Sequence, residues 1–219
     1  ICFGLSAGLV DTYVNGVIVK NFIGEGYIGA LSGIVTLSAA LLAAPFVYVG
    51  NFPGGEGKDW IMIGGAVCFS LGGLMLLALT DKQIAQWPVI ILYYILHGAA
   101  RGVWENTNKA VISEFFELSP HHRDAAFATV YFASGLAGAL GFAFFQFLSK
   151  SAIALIKLVV AGAAGVCFLM AVKVHRRELR YEQVRNMVSV LDGDDDDDDD
   201  EAVIIFGEEN RRRMDQKNV

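Results

Sequence analysis

Four ionisable side chains recur at intervals of four residues within one apolar stretch, VIILYYILHGAARGVWENTNKAVISEFF: His97, Arg101, Glu105 and Lys109. A helix turns by about 100° per residue, so Arg101, Glu105 and Asn108 fall within roughly 60° of one another on one face. His97 lies at one edge of this face and Lys109 at the other. Side chains of this kind can hold a solute, an ion or a proton, so this face is the first candidate site.

The surroundings of this face decide how strongly it points to function. An ionisable residue near the centre of a membrane-spanning helix costs about 2.5–3.5 kcal/mol on insertion scales, so it needs a partner or water. Such a residue is therefore a functional candidate by default. The structural alternative is that Arg101 and Glu105 neutralise each other across one turn and only hold neighbouring helices in place.

A second polar position lies near the start of the chain, where Asp11 and Asn15 are one helical turn apart in an apolar run. Asp11 is either a contact for a solute, proton or ion, or a counter-charge for Arg101 or Lys109. Lys157 lies in the last apolar run, and its long side chain is expected to reach a membrane interface. The predicted cavity is formed by seven residues: Asp11, Asn15, His97, Arg101, Glu105, Asn108 and Lys109.

The rest of the chain has the composition of a membrane protein. Hydrophobic residues make up 54% of it, and its mean hydropathy is +0.47. Apolar runs near the 20 residues that a spanning helix needs are separated by short polar turns. The sequence therefore predicts an all-α, polytopic membrane protein with about six spans, at 1–23, 27–50, 60–80, 88–113, 125–148 and 152–174.

Both ends of the chain depart from this pattern. Ile1 already lies in an apolar run without a preceding basic segment, so we expect a longer protein with an upstream part. We divide the chain into a transmembrane domain at 1–175, an amphipathic juxtamembrane helix at 176–191 suited to an anionic membrane surface, and a disordered acidic tail at 192–219. Nine acids at the start of this tail, Asp192, Asp194 to Asp200 and Glu201, account for the formal charge of −6, since without them 14 acids stand against 17 bases.

No pattern indicates an enzyme. Glycine-rich phosphate loops, zinc motifs and a set of nucleophile, base and orienting residue are all missing from the sequence. Cys2, Cys68 and Cys167 are isolated within apolar runs, which is typical of small core residues. We expect no cofactor, no metal and no nucleic-acid partner.

The basic residues near the span ends predict the orientation. Lys173, Arg176, Arg177 and Arg180 follow the last span, and Lys58 and Arg123 are expected on the same side. Because basic residues favour the cytoplasmic side, the C-terminus is predicted to be cytoplasmic. The particular membrane is left open.

Two stretches resemble a known family. HGAARGVWENTNKAVISEFF and DAAFATVYFASGLAGALGF are similar to helices in the C-terminal half of major facilitator superfamily proteins, in particular the Unc-ninety-three-like family. The resemblance covers roughly residues 1–175. The basic turn that the superfamily usually has between the second and third helices of each half is barely recognisable in GGEGKD.

The resemblance implies one half of a two-half bundle, with a missing N-terminal half of six helices as its partner and a site near the membrane centre. It leaves two functions open. The first is a secondary transporter of a small solute that works by alternating access, with Asp11, Arg101 and Glu105 lining the cavity. The second is a non-transporting regulator or trafficking partner of an ion channel or other membrane protein.

Overall fold

The computed structural model describes residues 1–50, 56–117 and 120–192. Within these ranges the secondary structure is entirely helical, without a strand. The predicted acidic tail, apart from Asp192, lies outside the described residues. The chain divides into two compact units, Ile1–Lys173 and Val174–Val219, and the clefts and contacts below belong to the first. In the second, residues 176–191, which we predicted to be a juxtamembrane helix, are helical.

The helices follow one another with short connections. Helix α1 continues directly into a π-helical segment at Val10–Ile23, and a shorter π-helical turn at Val103–Thr107 joins α5 to α6. Short 3₁₀ turns lie at Glu25–Tyr27 and Phe145–Phe147. The α-helices are α1 (Cys2–Leu9), α2 (Ile28–Gly50), α3 (Glu56–Ala78), α4 (Asp81–Ile84), α5 (Trp87–Gly102), α6 (Asn108–Phe115), α7 (Pro120–Phe144) and α8 (Lys150–Asp192).

Local sequence signals account for several of these boundaries. Gly24 separates the first two long helices with a φ of 127°, a conformation that a residue with a Cβ atom rarely adopts. Thr80 and Gln83 form a capping box at the start of α4, and Pro88 lies in the first turn of α5, where its missing N–H leaves no bond unmade.

Five helical stretches in the described part of the chain are long and apolar enough to cross a membrane: Cys2–Ile23, Glu25–Gly50, Gly57–Ala78, His121–Phe147 and Lys150–Arg185. They correspond to five of the six predicted spans. The remaining prediction, 88–113, is helical through α5, the π-helical turn and α6, but is not among the five. The polar residues at the centre of this stretch lower its mean hydropathy. Because α2 and α3 pack along it, less of its surface is left to face lipid and to require apolar side chains.

Close helix contacts bring these polar residues into the bundle. Helix α5 packs against α2 and α3, and α1 packs against α7. A Cβ atom on Gly98 would lie 2.5 Å from the carbonyl oxygen of Val35, and one on Gly4 would overlap the carbonyl oxygen of Ser134. Only glycine permits these two approaches, as at the small-residue contacts of membrane helices.

The outer surface of the bundle is apolar. Phe132 is 72% exposed and Phe147 is 78% exposed, whereas the side chains of Leu9, Val14 and Tyr94 are fully buried. Exposed apolar side chains along helices of this length have lipid as their natural solvent. The fold is therefore that of an all-α, multi-pass membrane protein.

Candidate functional site

The charged segment between α5 and α6 carries a local ion pair. Arg101 Nε donates to Glu105 Oε1 over 2.8 Å, and the two side chains are 37% and 41% exposed. Glu105 lies in the π-helical turn Val103–Thr107, and such interruptions of α-helices are frequent at functional sites. The pair therefore has no net charge, and its two side chains remain accessible to a molecule in the adjacent space.

Beside this pair is a cleft of about 600 Å³, which we call the large cleft. Residues of α1, the π-helical turn, α6 and α7 form its walls. It is lined on several sides by Phe3, Trp104, Glu105, Lys109, Tyr131 and Gly135. Its volume is in the range of sites that bind small molecules.

A second cavity of about 180 Å³, the small cleft, shares the lining residues Phe3 and Ala7 with the large cleft. Arg101 lines the small cleft while Glu105 lines the large one, so the ion pair has one member at each cleft. The polar lining of the small cleft comes from α2, α5 and the π-helical segment after α1: Asp11, Ser32, Thr36, Tyr94, His97 and Arg101.

Asp11 and Asn15 take part in a hydrogen-bond network at the small cleft. Asn15 Nδ2 donates to Asp11 Oδ1 over 3.1 Å, and the buried hydroxyl of Tyr94 donates to Asn15 Oδ1. Asp11 is outside ion-pair distance of Arg101 and Lys109, whose described partners are different. In this conformation Asp11 is therefore not their counter-charge, and its carboxylate faces the small cleft.

His97 is the least satisfied polar side chain at the small cleft. It is only 6% exposed, and its Nδ1 atom has no hydrogen-bond partner in the structure. Its ring meets the edge of Phe69 with 5.8 Å between centroids. Buried polar atoms are nearly always hydrogen-bonded, so this imidazole is a candidate ligand-binding group.

The position of Lys157 shows that the prediction from the sequence, a side chain that reaches the membrane interface, was wrong. Lys157 is 3% exposed; its Nζ donates to Tyr93 Oη over 3.1 Å and lies 4.9 Å from the Tyr93 ring centroid and 5.9 Å from that of Phe69. We call Lys157, Tyr93 and Phe69 the lysine cage. Helix α8 packs closely against α3 at this point, where a Cβ atom on Gly72 would lie 2.9 Å from Nζ. The amine is held there rather than extended to water.

The seven predicted cavity residues thus divide among different surroundings. Asp11, His97 and Arg101 line the small cleft, Glu105 and Lys109 line the large cleft, and Asn15 supports Asp11 from a buried position. Asn108 is half-buried and lines neither cleft. Their role in binding stays a prediction.

Sequence reasoning missed the aromatic lining of the large cleft. Phe3 and Trp104 stack with 5.3 Å between centroids and 7° between planes, and Tyr131 lies 5.8 Å below Lys109 Nζ. These rings come from three segments far apart in the chain. Only the position of Trp104, next to Glu105, gave a signal within the sequence.

Comparison with protein-family models, curated proteins and solved structures finds no match for this chain. The fold and the clefts therefore define the class of protein by themselves. It is an all-α multi-pass membrane protein with charged side chains lining two clefts. The resemblance to major facilitator proteins remains a prediction.

Proposed function

We propose that this protein is a secondary transporter of a small solute, working by alternating access in the manner of major facilitator proteins. The observation that carries the proposal is the position of Glu105 and Lys109, which line an open cleft inside a bundle with an apolar exterior. Charged groups within a membrane domain raise the free energy of insertion, and they are typical of solute or ion pathways.

The alternative role for these charges, helix locking, fits other ion pairs better. Lys58 Nζ lies 2.6 Å from Glu114 Oε2 and joins α3 to α6, and Lys150 Nζ lies 2.8 Å from Asp81 Oδ1 and joins α8 to α4. Both pairs connect different helices near opposite ends of α3. The pair of Arg101 and Glu105 lies within one helical segment and connects no helices to each other, so its exposure to the clefts is the more distinctive property.

Alternating access requires a second body against which the helices move. We propose that the upstream part of the protein supplies a corresponding half and that the large cleft faces it. In this arrangement the C-terminus is cytoplasmic, as the basic residues after the last span predict.

Vesicle uptake tests the proposal. The protein, expressed from its complete coding sequence, is reconstituted into phosphatidylcholine vesicles and incubated with a defined mixture of small anionic, cationic, zwitterionic and neutral solutes. Mass spectrometry then identifies the vesicle contents. We expect at least one solute to accumulate above protein-free vesicles. Its uptake should fall at least tenfold in Glu105→Gln, because this variant leaves Arg101 without its counter-charge and changes the charge balance that transport depends on.

Glu114→Gln is the matched control because Glu114 is an ion-paired glutamate of α6 outside the large cleft; this variant should keep its uptake. Uptake that is unchanged in both Glu105→Gln and Asp11→Asn would overturn the proposal. So would the absence of any uptake together with stoichiometric co-purification of a second membrane protein, which would favour a regulator or trafficking partner.

A further inference from the structure

We infer that the large cleft binds an organic anion that carries a planar aromatic group. The anionic group lies beside Lys109, and the ring lies against the aromatic wall, which is the part of the lining formed by Phe3, Trp104 and Tyr131. This inference rests on the proposed transport function and names the class of its substrate. It follows from three properties of the cleft: its charge, its aromatic lining and its open space at Gly135.

The charge of the cleft is positive. Glu105 is neutralised by Arg101, whose Nε lies 2.8 Å from its carboxylate. Lys109 is exposed, and its described contact is the Tyr131 ring, 5.8 Å from Nζ. Within the described ranges no carboxylate lies in ion-pair distance of Lys109. The ammonium is thus the one uncompensated charge of the lining, and it favours an anion.

The aromatic lining indicates the remainder of the ligand. Phe3 and Trp104 stack nearly parallel, 5.3 Å apart, and both line the cleft with Tyr131. Ring faces attract other planar apolar groups but repel anions, because the face of a π-system is negative. A ligand with its charge at one end and its ring at the other satisfies Lys109 and the aromatic wall together.

Gly135 leaves room for such a ligand. It lines the cleft, and a Cβ atom added there would meet no atom within 4 Å. A side chain at this position would therefore enter the cleft without a clash. Gly162 in α8 has the same open surroundings but does not line the cleft, which makes it a matched control for a blocking substitution.

Fluorescence of Trp104 provides an assay that is independent of transport. In a background in which Trp60 and Trp87 are changed to Phe, Trp104 is the only tryptophan of this chain; any tryptophan encoded elsewhere in the complete coding sequence is changed likewise. The protein from the complete coding sequence, in phosphatidylcholine-containing micelles, is titrated with benzoate, neutral benzamide and cationic benzylamine. We expect saturable quenching by benzoate with a Kd at least tenfold lower than that of the other two.

Lys109→Gln should raise the Kd of benzoate at least tenfold, and Gly135→Leu should abolish the quenching. Lys58→Gln and Gly162→Leu should leave the Kd unchanged. Size-exclusion profiles show that each variant is folded. Equal or tighter binding of benzylamine or benzamide, or unchanged benzoate binding in Lys109→Gln, would overturn the inference.

Two further experiments, lipid competition and solute uptake, separate this inference from the alternatives. In the first, phosphatidylglycerol and a soluble carboxylate compete with benzoate for the cleft. If phosphatidylglycerol displaces benzoate at the lower concentration, the cleft binds a lipid headgroup and the inference is overturned. Uptake confined to cationic or neutral solutes would overturn it while supporting transport. Benzoate binding with no uptake of any solute would support the anion site and overturn the transport proposal.

Discussion

The lysine cage and the large cleft treat a positive charge in opposite ways. Lys157 is 3% exposed and is enclosed by Tyr93 and Phe69, whereas Lys109 is exposed and lines a cleft of about 600 Å³. Both amines lie against aromatic rings. Only Lys109 has space beside it for a ligand.

Burial and accessibility, rather than residue type, therefore distinguish a charged side chain that stabilises the fold from one that can bind a ligand. A cation over an aromatic face gains about 2 kcal/mol or more when desolvated, so the rings of the cage stabilise an amine that has no carboxylate partner in the described part of the chain. In the large cleft the same type of contact leaves most of the amine free. The cage should therefore govern stability and the cleft should govern binding.

Reversing the charge in the cage should have the largest effect. Lys157→Glu places a carboxylate against two ring faces that repel anions, and an uncompensated buried charge costs about 3–5 kcal/mol. We expect the free energy of unfolding, measured by titration with SDS in micelles, to fall by about this amount. Lys157→Met is the control, because an apolar side chain of similar length needs no counter-charge. It should be as stable as the wild type, and a loss equal to that of Lys157→Glu would contradict the account.

Removing the hydroxyl of the cage should have an intermediate effect. Tyr93→Phe deletes the hydrogen bond to Lys157 Nζ, and hydrogen bonds to charged groups contribute about 1.5–3 kcal/mol. Tyr94→Phe is a matched variant whose hydroxyl donates to the neutral Asn15 side chain, so its loss should be nearer 1 kcal/mol. Equal losses in SDS unfolding would indicate that the amine of Lys157 gains nothing from the Tyr93 hydroxyl.

Changes in the cleft should affect function more than stability. Because the side chains of Arg101 and Glu105 are 37% and 41% exposed, Glu105→Gln should change the free energy of unfolding by about 1 kcal/mol or less. The same variant should lose at least tenfold in uptake. Destabilisation of about 3 kcal/mol or more in Glu105→Gln would instead identify the pair as a structural element like the cage.

The smallest effect is expected at the outer ion pairs. Lys20 and Glu25 are 3.7 Å apart with side chains 54% and 73% exposed, and an exposed pair of this kind contributes about 0–1 kcal/mol. Lys20→Gln should therefore leave both thermal stability and uptake within error of the wild type. A marked loss of uptake would place part of the transport pathway outside the two clefts.

Much of the fold could be predicted from the chain itself, because spanning helices are encoded locally. Apolar runs of about 20 residues have few alternatives in a bilayer, so five of the six spans followed from hydropathy in their order along the chain, whereas the charged stretch 88–113 is helical but not among the membrane-spanning candidates. Helix starts were less certain. The fifth span was predicted from residue 125, whereas α7 begins at Pro120, a residue that suits the first turn of a helix.

The candidate site could be predicted only in part. The four-residue spacing of Arg101 and Glu105 is a local property, and it correctly indicated that the two side chains meet. The Tyr131 ring near Lys109 and the two rings around Lys157 come from other helices, and no spacing along the chain indicates them. Lys157 was for this reason expected at an interface.

Local patterns in the chain are enough to predict a membrane protein made of helices with one charged helical segment, because hydropathy and helical periodicity act over a few turns. Which charges are enclosed and which face a cleft depends instead on how the helices pack. Close approach of α3 and α8 encloses Lys157, while the stacking of Phe3 on Trp104 helps to line the cleft beside Lys109. Both contacts join residues that are distant in the chain, and packing alone brings them together.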